Sequence, residues 1–327
     1  MRNNFLKDYY SEIKNYILVG GKRIRPLLTI AAYNGFTNKM ADEIVRPSVG
    51  IEFLHNATLI HDDIIDKDDF RRGNPSFHYR FQQYYIMNKF KKVNAVDFGT
   101  SIGIIGGDNT FIMGADAYFN EDFSQELNLN SIYYYRQAFA EVIHGVLMEI
   151  DMVNKRSVSM DDYIEMISLK TGALIEKSIL IGGSYANIEK KHVPFLSIYG
   201  INLGIIFQII DDILGTFGDE KVTGKPTDGD IREGKRTCLL IEALNELEGN
   251  KRNKLMDIFS KPEISVEEVN EVKDLFKEAD VVNTCKNLAT KYYDDASEAL
   301  DILKLVVNDS EIEFFENLLK FVLERKF

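Results

Sequence analysis

The sequence predicts an all-α fold built as one domain, and three observations carry that expectation. Only six prolines interrupt the 327 residues, so long stretches lack a helix breaker. Apolar residues recur every three to four positions, the spacing of one helix face and not the alternation of a strand. No hairpin signature separates the apolar runs.

The elements follow in order. Residues 5–18 form a first amphipathic helix, ended by Gly20 and Gly21. Helical patterns then run over 26–36, 41–66, 96–119, 125–152, 160–187, 190–217, 234–248, 251–259, 265–278, 281–304 and 309–325. The stretches DDFRRGNPS after 66 and GDEKVTGKPTDGDIREGK after 217 are rich in Gly, Asp and Pro and read as loops. No repeat, low-complexity segment or shift of composition marks a boundary. Residues 1–327 therefore read as a single domain, although the length exceeds that of most.

Hydrophobic residues make up 45% of the chain, which places it among globular proteins. A net charge of -12 makes nucleic acid a poor partner, because phosphate backbones demand basic surfaces. It does not exclude phosphate ligands, since a local basic pocket or a bound metal inverts the field. Cys238 and Cys285 show no metal-binding spacing and fit a reducing, cytoplasmic compartment. The N-terminus lacks a signal-peptide apolar stretch. No run of about 18 apolar residues is evident, so no membrane span is expected.

The strongest chemical signal is Asp62-Asp63-Ile64-Ile65-Asp66, at the end of the apolar stretch GIEFLHNATLIH. Asp62 and Asp66 share a helix face. They also sit at the negative end of the helix dipole, where anions are disfavoured. Alone, this motif reads equally well as a solvated acidic helix end, because like charges four apart cost only about 0.2–0.5 kcal/mol when exposed. A second pair, Asp211-Asp212, again follows an apolar helix, IYGINLGIIFQII. Two such helices suggest carboxylates facing one another across a cavity and trapping a hard cation. Oxygen donors without a nearby His/Cys set point to Mg²⁺, which shares its shell with substrate phosphates. Neither DKDDF nor DGDIREG completes an EF-hand loop.

Cations stand close to both acidic motifs. Lys22, Arg23 and Arg25 follow the Gly20-Gly21 pair, Arg71-Arg72 follow the first motif, and Lys170-Thr171 lie within a helical pattern. Lys225 and Lys235 lie in the loop after the second motif. Each alone reads as a solvated charge, a helix cap or an ion pair; their convergence points to an anion.

In this order, GGKRIRP, HNATLIHDDIIDKDDFRRGNPSFH, GDN at 107, KTG at 170 and FQIIDDILGTFGD with GKPTDGDIREGKRT resemble the trans-isoprenyl diphosphate synthase family. The resemblance spans about residues 20–240 and is strongest to archaeal geranylgeranyl diphosphate synthases. It implies helices around a deep central cavity, a homodimer, and condensation of an allylic diphosphate with isopentenyl diphosphate. It implies that Asp62, Asp66 and Asp211 bind Mg²⁺, supported by Asp63 and Asp212. Arg71, Lys170 and Lys225 would hold the allylic diphosphate. Lys22, Arg25, His55 and Arg72 would bind isopentenyl diphosphate, and Lys235 would close the site. Thr171 and Gln208 would line the pocket where the cation forms.

Three positions depart from the family pattern: Gly215 replaces the last aspartate of the second motif, Val146 a glutamine, and Glu149 an aspartate. The growing tail is expected to run along the helix bearing Asp62, past Thr58, Leu54 and Ile51. Small residues at Ala57 and Thr58 with Phe111 as the floor suggest geranylgeranyl diphosphate; farnesyl and longer products remain alternatives. A non-catalytic subunit, a terpene cyclase or head-to-head synthase, and a plain phosphate- or calcium-binding module are the competing classes. The GGKRIRP cations argue against the cyclase, and the persistence of nearly all charged positions argues against the other two.

Overall fold

A computed structural model describes residues 3–40, 42–218 and 227–325. Among these residues the only paired strands are two residues long, so the fold is all-α, as the apolar spacing predicts. The first nine long helices are α1 (Asn4–Leu18), α2 (Ile24–Thr37), α3 (Val45–Ile65), α4 (Phe77–Met87), α5 (Ala95–Ala115), α6 (Gln125–Val153), α7 (Met160–Ile167), α8 (Ala173–Tyr185) and α9 (Val193–Phe217). Polar caps set several starts. The side chains of Asn3, Asn94 and Ser124 each accept a backbone N–H three residues on, and Ser159 and Asp162 cap α7 reciprocally.

Helix α9 is the axis of the bundle, packed against α8 and the long helix Val281–Leu303. Taken from Lys190, it is long and apolar enough to cross a membrane, with a mean hydropathy of 1.8 in its most apolar window. This corrects the expectation that no stretch reaches that level. Its position supplies the physical reason: a helix with neighbours on several sides must be apolar nearly all round. The same helix carries Gln208, Asp211 and Asp212.

Two glycines decide how closely its neighbours approach. A Cβ on Gly204 would lie 2.4 Å from the Gly172 Cα, and one on Gly145 would lie 2.4 Å from the Lys170 nitrogen. Helices α9 and α6 thus touch the backbone of Ser168–Gly172 directly. That segment winds as a π-turn between α7 and α8, a widening of the helix often found at functional sites. The expected helix over 160–187 is therefore interrupted where Lys170 and Thr171 stand.

Other boundaries also shift. The 41–66 pattern divides into a 3₁₀ turn, Asp42–Ile44, and α3, whose Pro47 falls in the first turn, where the missing N–H costs nothing. The 234–248 pattern becomes a helix only at Cys238–Glu246. Between 67 and 95, where no element is expected, the chain forms a hairpin and α4. Phe70–Arg71 pairs with Asn74–Pro75 around Arg72 and Gly73, whose φ values of 53° and 73° suit a type I′ turn. Its usual Asn-Gly or Asp-Gly signature is absent. Helix α4 buries Phe77, Phe81 and Tyr85, spaced at one face.

Candidate active site

The ends of α3 and α9 face one cavity of about 530 Å³. Asp62 and Asp66 line it from α3, and Gln208, Asp211 and Asp212 from α9. Lys170 enters from the π-turn, Arg71 from the hairpin, Glu149 from α6, and Asp228, Asp230, Glu233 and Lys235 from the segment after α9.

Nine carboxyl groups line the cavity against five cations, and most of those cations stand beside acids. Burial pushes the Asp62 carboxyl up, against the pull of Lys170. Burial alone would lower Lys170, but its ion-pair partner Glu149 and the nearby Asp62 outweigh it and keep the ammonium charged. Lys235 behaves likewise: burial opposes its charge, and Asp230 at 3.6 Å, Asp66 at 3.9 Å and Glu233 at 2.6 Å hold it well above its ordinary value. Across the cavity, Arg325 lies 3.4 Å from Asp211 and 5.7 Å from the centre of the Phe207 ring. Side-chain cations of this chain thus stand against aspartates on both walls.

The second aspartate of each motif is placed differently from the first. The sequence groups Asp63 with the metal-binding carboxylates; the structure turns it away from the cavity. Asp63 is fully buried, accepts the Tyr16 hydroxyl at 2.8 Å and is ion-paired with Arg71. Burial pushes it up to about 6, with Arg71 pulling the other way. Asp212 reaches the cavity, but Gln208 Nε2 donates to one of its oxygens at 2.8 Å and Tyr163 Oη to the other at 2.7 Å. Burial, reinforced by Asp230, pushes it up to about 8. Thr171 does not line the cavity; its hydroxyl donates to Gln208 Oε1 at 2.9 Å.

Behind the hairpin lies a second, basic region. Gly20 and Gly21, with φ of 66° and 95°, leave room for the Arg72 guanidinium, which donates to the Val19 carbonyl at 3.1 Å. Burial lowers Arg25 to about 10, and its Nε is buried without a hydrogen-bond partner among the described residues. Burial, followed by the charges of Arg25 and Arg72, holds His55 well below 6.5. Lys22 sits 4.9 Å from the centre of the Phe321 ring, lowered by burial and by Arg325. A cluster of cations with an orphaned buried donor is an anion site in waiting. Arg71 and Arg72 are consecutive, yet the tight turn sends one to each region.

Lys225 lies outside the described residues. Phe111, Ala57 and Thr58 do not line the cavity. Phe111 stacks on Phe139 and Tyr135, with ring centres 4.1 and 5.3 Å apart, and Thr58 donates to the His55 carbonyl at 2.8 Å. Ile51 and Leu54 are fully buried in a core with Tyr135 and Leu174, so side chains fill the path expected along α3. Sequence reasoning missed Asp228, Asp230, Glu233 and Arg325 as cavity residues, and treated Glu149 only as a departure. The density of acids in TDGDIREG was a usable signal; Arg325 had none. Asp230 also explains Gly215: a Cβ there would lie 3.2 Å from Asp230 Oδ2, so a carboxylate from the following segment stands beside the glycine.

No three acidic, His or Cys side chains among the described residues already converge on one point to cage an ion. The wall nonetheless fits a hard cation, since carboxylates reach it from two facing helices and no cysteine or histidine lines it. A cation that keeps water and ligand phosphates in its shell needs only one or two carboxylates from each side.

Residues 7–277 match the polyprenyl synthetase family. The chain belongs to that family. The similarity to archaeal enzymes extends over most of the chain. The chain is 34% identical to the short chain isoprenyl diphosphate synthase of Methanocaldococcus jannaschii, over 82% of this chain and 76% of the relative. It is 31% identical to the geranylgeranyl diphosphate synthase of Saccharolobus solfataricus, over 99% of this chain and 93% of the relative. A crystal structure of geranylgeranyl pyrophosphate synthase from Corynebacterium glutamicum, complexed with isoprenyl diphosphate and magnesium, superposes with a TM-score of 0.90 at 28% identity, covering 98% of this chain and 91% of that one. This polyprenyl synthetase is a prenyltransferase that elongates prenyl chains.

Proposed function

We propose that this polyprenyl synthetase, working as one domain over 1–327, joins an allylic diphosphate to isopentenyl diphosphate head to tail, 1'-4, and releases diphosphate. Geranylgeranyl diphosphate is the main product. The observation that carries the reading is the meeting of Asp62, Asp66 and Asp211 across one cavity. Those three would hold Mg²⁺, which supplies positive charge to the leaving diphosphate. The complex printed for the Corynebacterium neighbour supports that choice of ligand and metal.

The chain's own residues do the rest. Arg71 and Lys170 line the cavity and bind the allylic diphosphate, with Lys225 as a further candidate. At about 4 Å and an effective dielectric near 20, each opposite charge pair is worth roughly 4 kcal/mol, so several such pairs lower the barrier to carbon–oxygen cleavage substantially. Thr171 orients Gln208, whose amide oxygen and the nearby backbone carbonyls face the allylic cation. Lys22, Arg25, His55 and Arg72 hold isopentenyl diphosphate so that its double bond reaches that cation. The released diphosphate takes the proton, since His55 is embedded among arginines and is a poor base. Lys235, bridging Asp66 and Asp230, ties the segment after α9 to α3 and helps keep water out.

The outer faces of α5 and α6 leave Ile104, Ile105, Ile112, Leu129 and Leu147 exposed, which supports a homodimer. Two free, buried cysteines suit the cytoplasm. The test is chain-length analysis of products made by the purified chain with Mg²⁺, isopentenyl diphosphate and dimethylallyl, geranyl or farnesyl diphosphate. A C20 product is expected; no condensation with any primer would overturn the reading.

A further inference from the structure

The two acidic motifs share a feature that the reaction does not require. In each, the second aspartate is gripped by a buried tyrosine from a distant part of the chain. Tyr16, on α1, donates to Asp63 at 2.8 Å, and Tyr163, on α7, donates to Asp212 at 2.7 Å. Both rings are buried, at 8% and 1% exposure. A buried tyrosine hydroxyl usually finds some partner. Here both hydroxyls find the same position of the same motif, and a second donor occupies each carboxylate's other oxygen: Arg71 on Asp63, Gln208 on Asp212.

We propose that Tyr16 and Tyr163 are positioning residues that act through those aspartates on different parts of the reaction. Tyr163 fixes Asp212, Asp212 fixes the Gln208 amide, and that amide accepts the Thr171 hydroxyl. The chain of bonds commits the amide nitrogen to Asp212 and leaves the oxygen on the Thr171 side. Tyr16 instead fixes Asp63, which aims Arg71 at the cavity. Tyr163 therefore controls turnover, and Tyr16 controls affinity for the allylic diphosphate. The assignment rests on the roles given above to Gln208 and Arg71.

Steady-state kinetics of Tyr163→Phe and Tyr16→Phe test it, with thermal unfolding to establish that each variant is folded. Tyr163→Phe should lose about tenfold in kcat with both KM values within about twofold, the effect of losing one buried hydrogen bond whose orienting role is felt in the transition state. Tyr16→Phe should raise KM for the allylic diphosphate about fivefold and leave kcat within about twofold. In an Asp212→Asn background, Tyr163→Phe should add less than about twofold, because both act through one bond. Equal losses in both parameters, wild-type kcat in Tyr163→Phe, or additive effects with Asp212→Asn would overturn the proposal. A wild-type chain that makes no condensation product would instead overturn the functional reading and leave these ratios undefined.

Discussion

The acidic cavity and the basic region behind the hairpin are both suited to diphosphate, but by opposite means. The cavity wall is carboxylate-rich, and most of its side-chain cations stand in ion pairs, as Lys170 does with Glu149 and Lys235 with Glu233. The basic region needs nothing added: Arg25 presents a buried Nε with no partner, and His55 is hemmed in by arginines. On the proposed reading, exchangeable ions create anion binding in the first region, whereas fixed charges supply it in the second. The difference teaches that the two substrates can be uncoupled experimentally.

Removing divalent cations breaks the comparison most completely. Chelation should abolish product formation and binding of the allylic diphosphate, while isopentenyl diphosphate binding, read by calorimetry, stays within about threefold. Loss of both affinities together would show that the two regions share their metal. Asp211→Asn comes next. It removes a proposed metal ligand on the α9 side and should lower kcat by about a hundredfold or more, with affinity for isopentenyl diphosphate little changed in the same calorimetric assay.

Arg25→Gln sharpens the other side. It deletes a fixed charge and should raise KM for isopentenyl diphosphate by ten- to a hundredfold, the worth of one or more charged hydrogen bonds. Its metal requirement, read from a Mg²⁺ titration, should not move. The smallest effect is on pH. His55 is held neutral in the fold while the unfolded chain takes up a proton below 6.5, so the His55 contribution to stability falls as pH drops through that value and is flat above it. His55→Gln removes the slope. Its melting temperature relative to the parent should rise by on the order of 2 °C between pH 7.5 and 5.5, read by calorimetry.

Much of this was legible in the chain itself. The helical spacing gave α3 and α9, and the repeated aspartates at their ends gave the walls of the cavity, because sequence neighbours on one helix end remain neighbours in space. The roles of individual aspartates were less accessible. Asp62 and Asp63 are adjacent, and only tertiary packing reveals that one faces the cavity and the other faces Tyr16. The hairpin was hidden because Arg72-Gly73 takes a turn usually written with asparagine or aspartate. Arg325 approaches Asp211 from the far end of the chain, a contact that no local pattern encodes. Small residues at Ala57 and Thr58 suggest space, whereas the structure buries Ile51 and Leu54 in a core with Tyr135 and Leu174.

The contact of Gly204 with Gly172 has a consequence for what the enzyme lets escape. With a Cβ 2.4 Å from the opposing Cα, a methyl group at residue 204 would wedge α9 away from the π-turn and separate Gln208 from Thr171. Diphosphate release would continue, because Arg71, Asp62 and Asp66 stand on the hairpin and α3, away from that contact. The carbocation, however, would lose its shelter before the double bond arrived. Gly204→Ala should then leak prenyl alcohol, as water intercepts the intermediate. Commitment to chain growth would thus rest on the absence of two methyl groups.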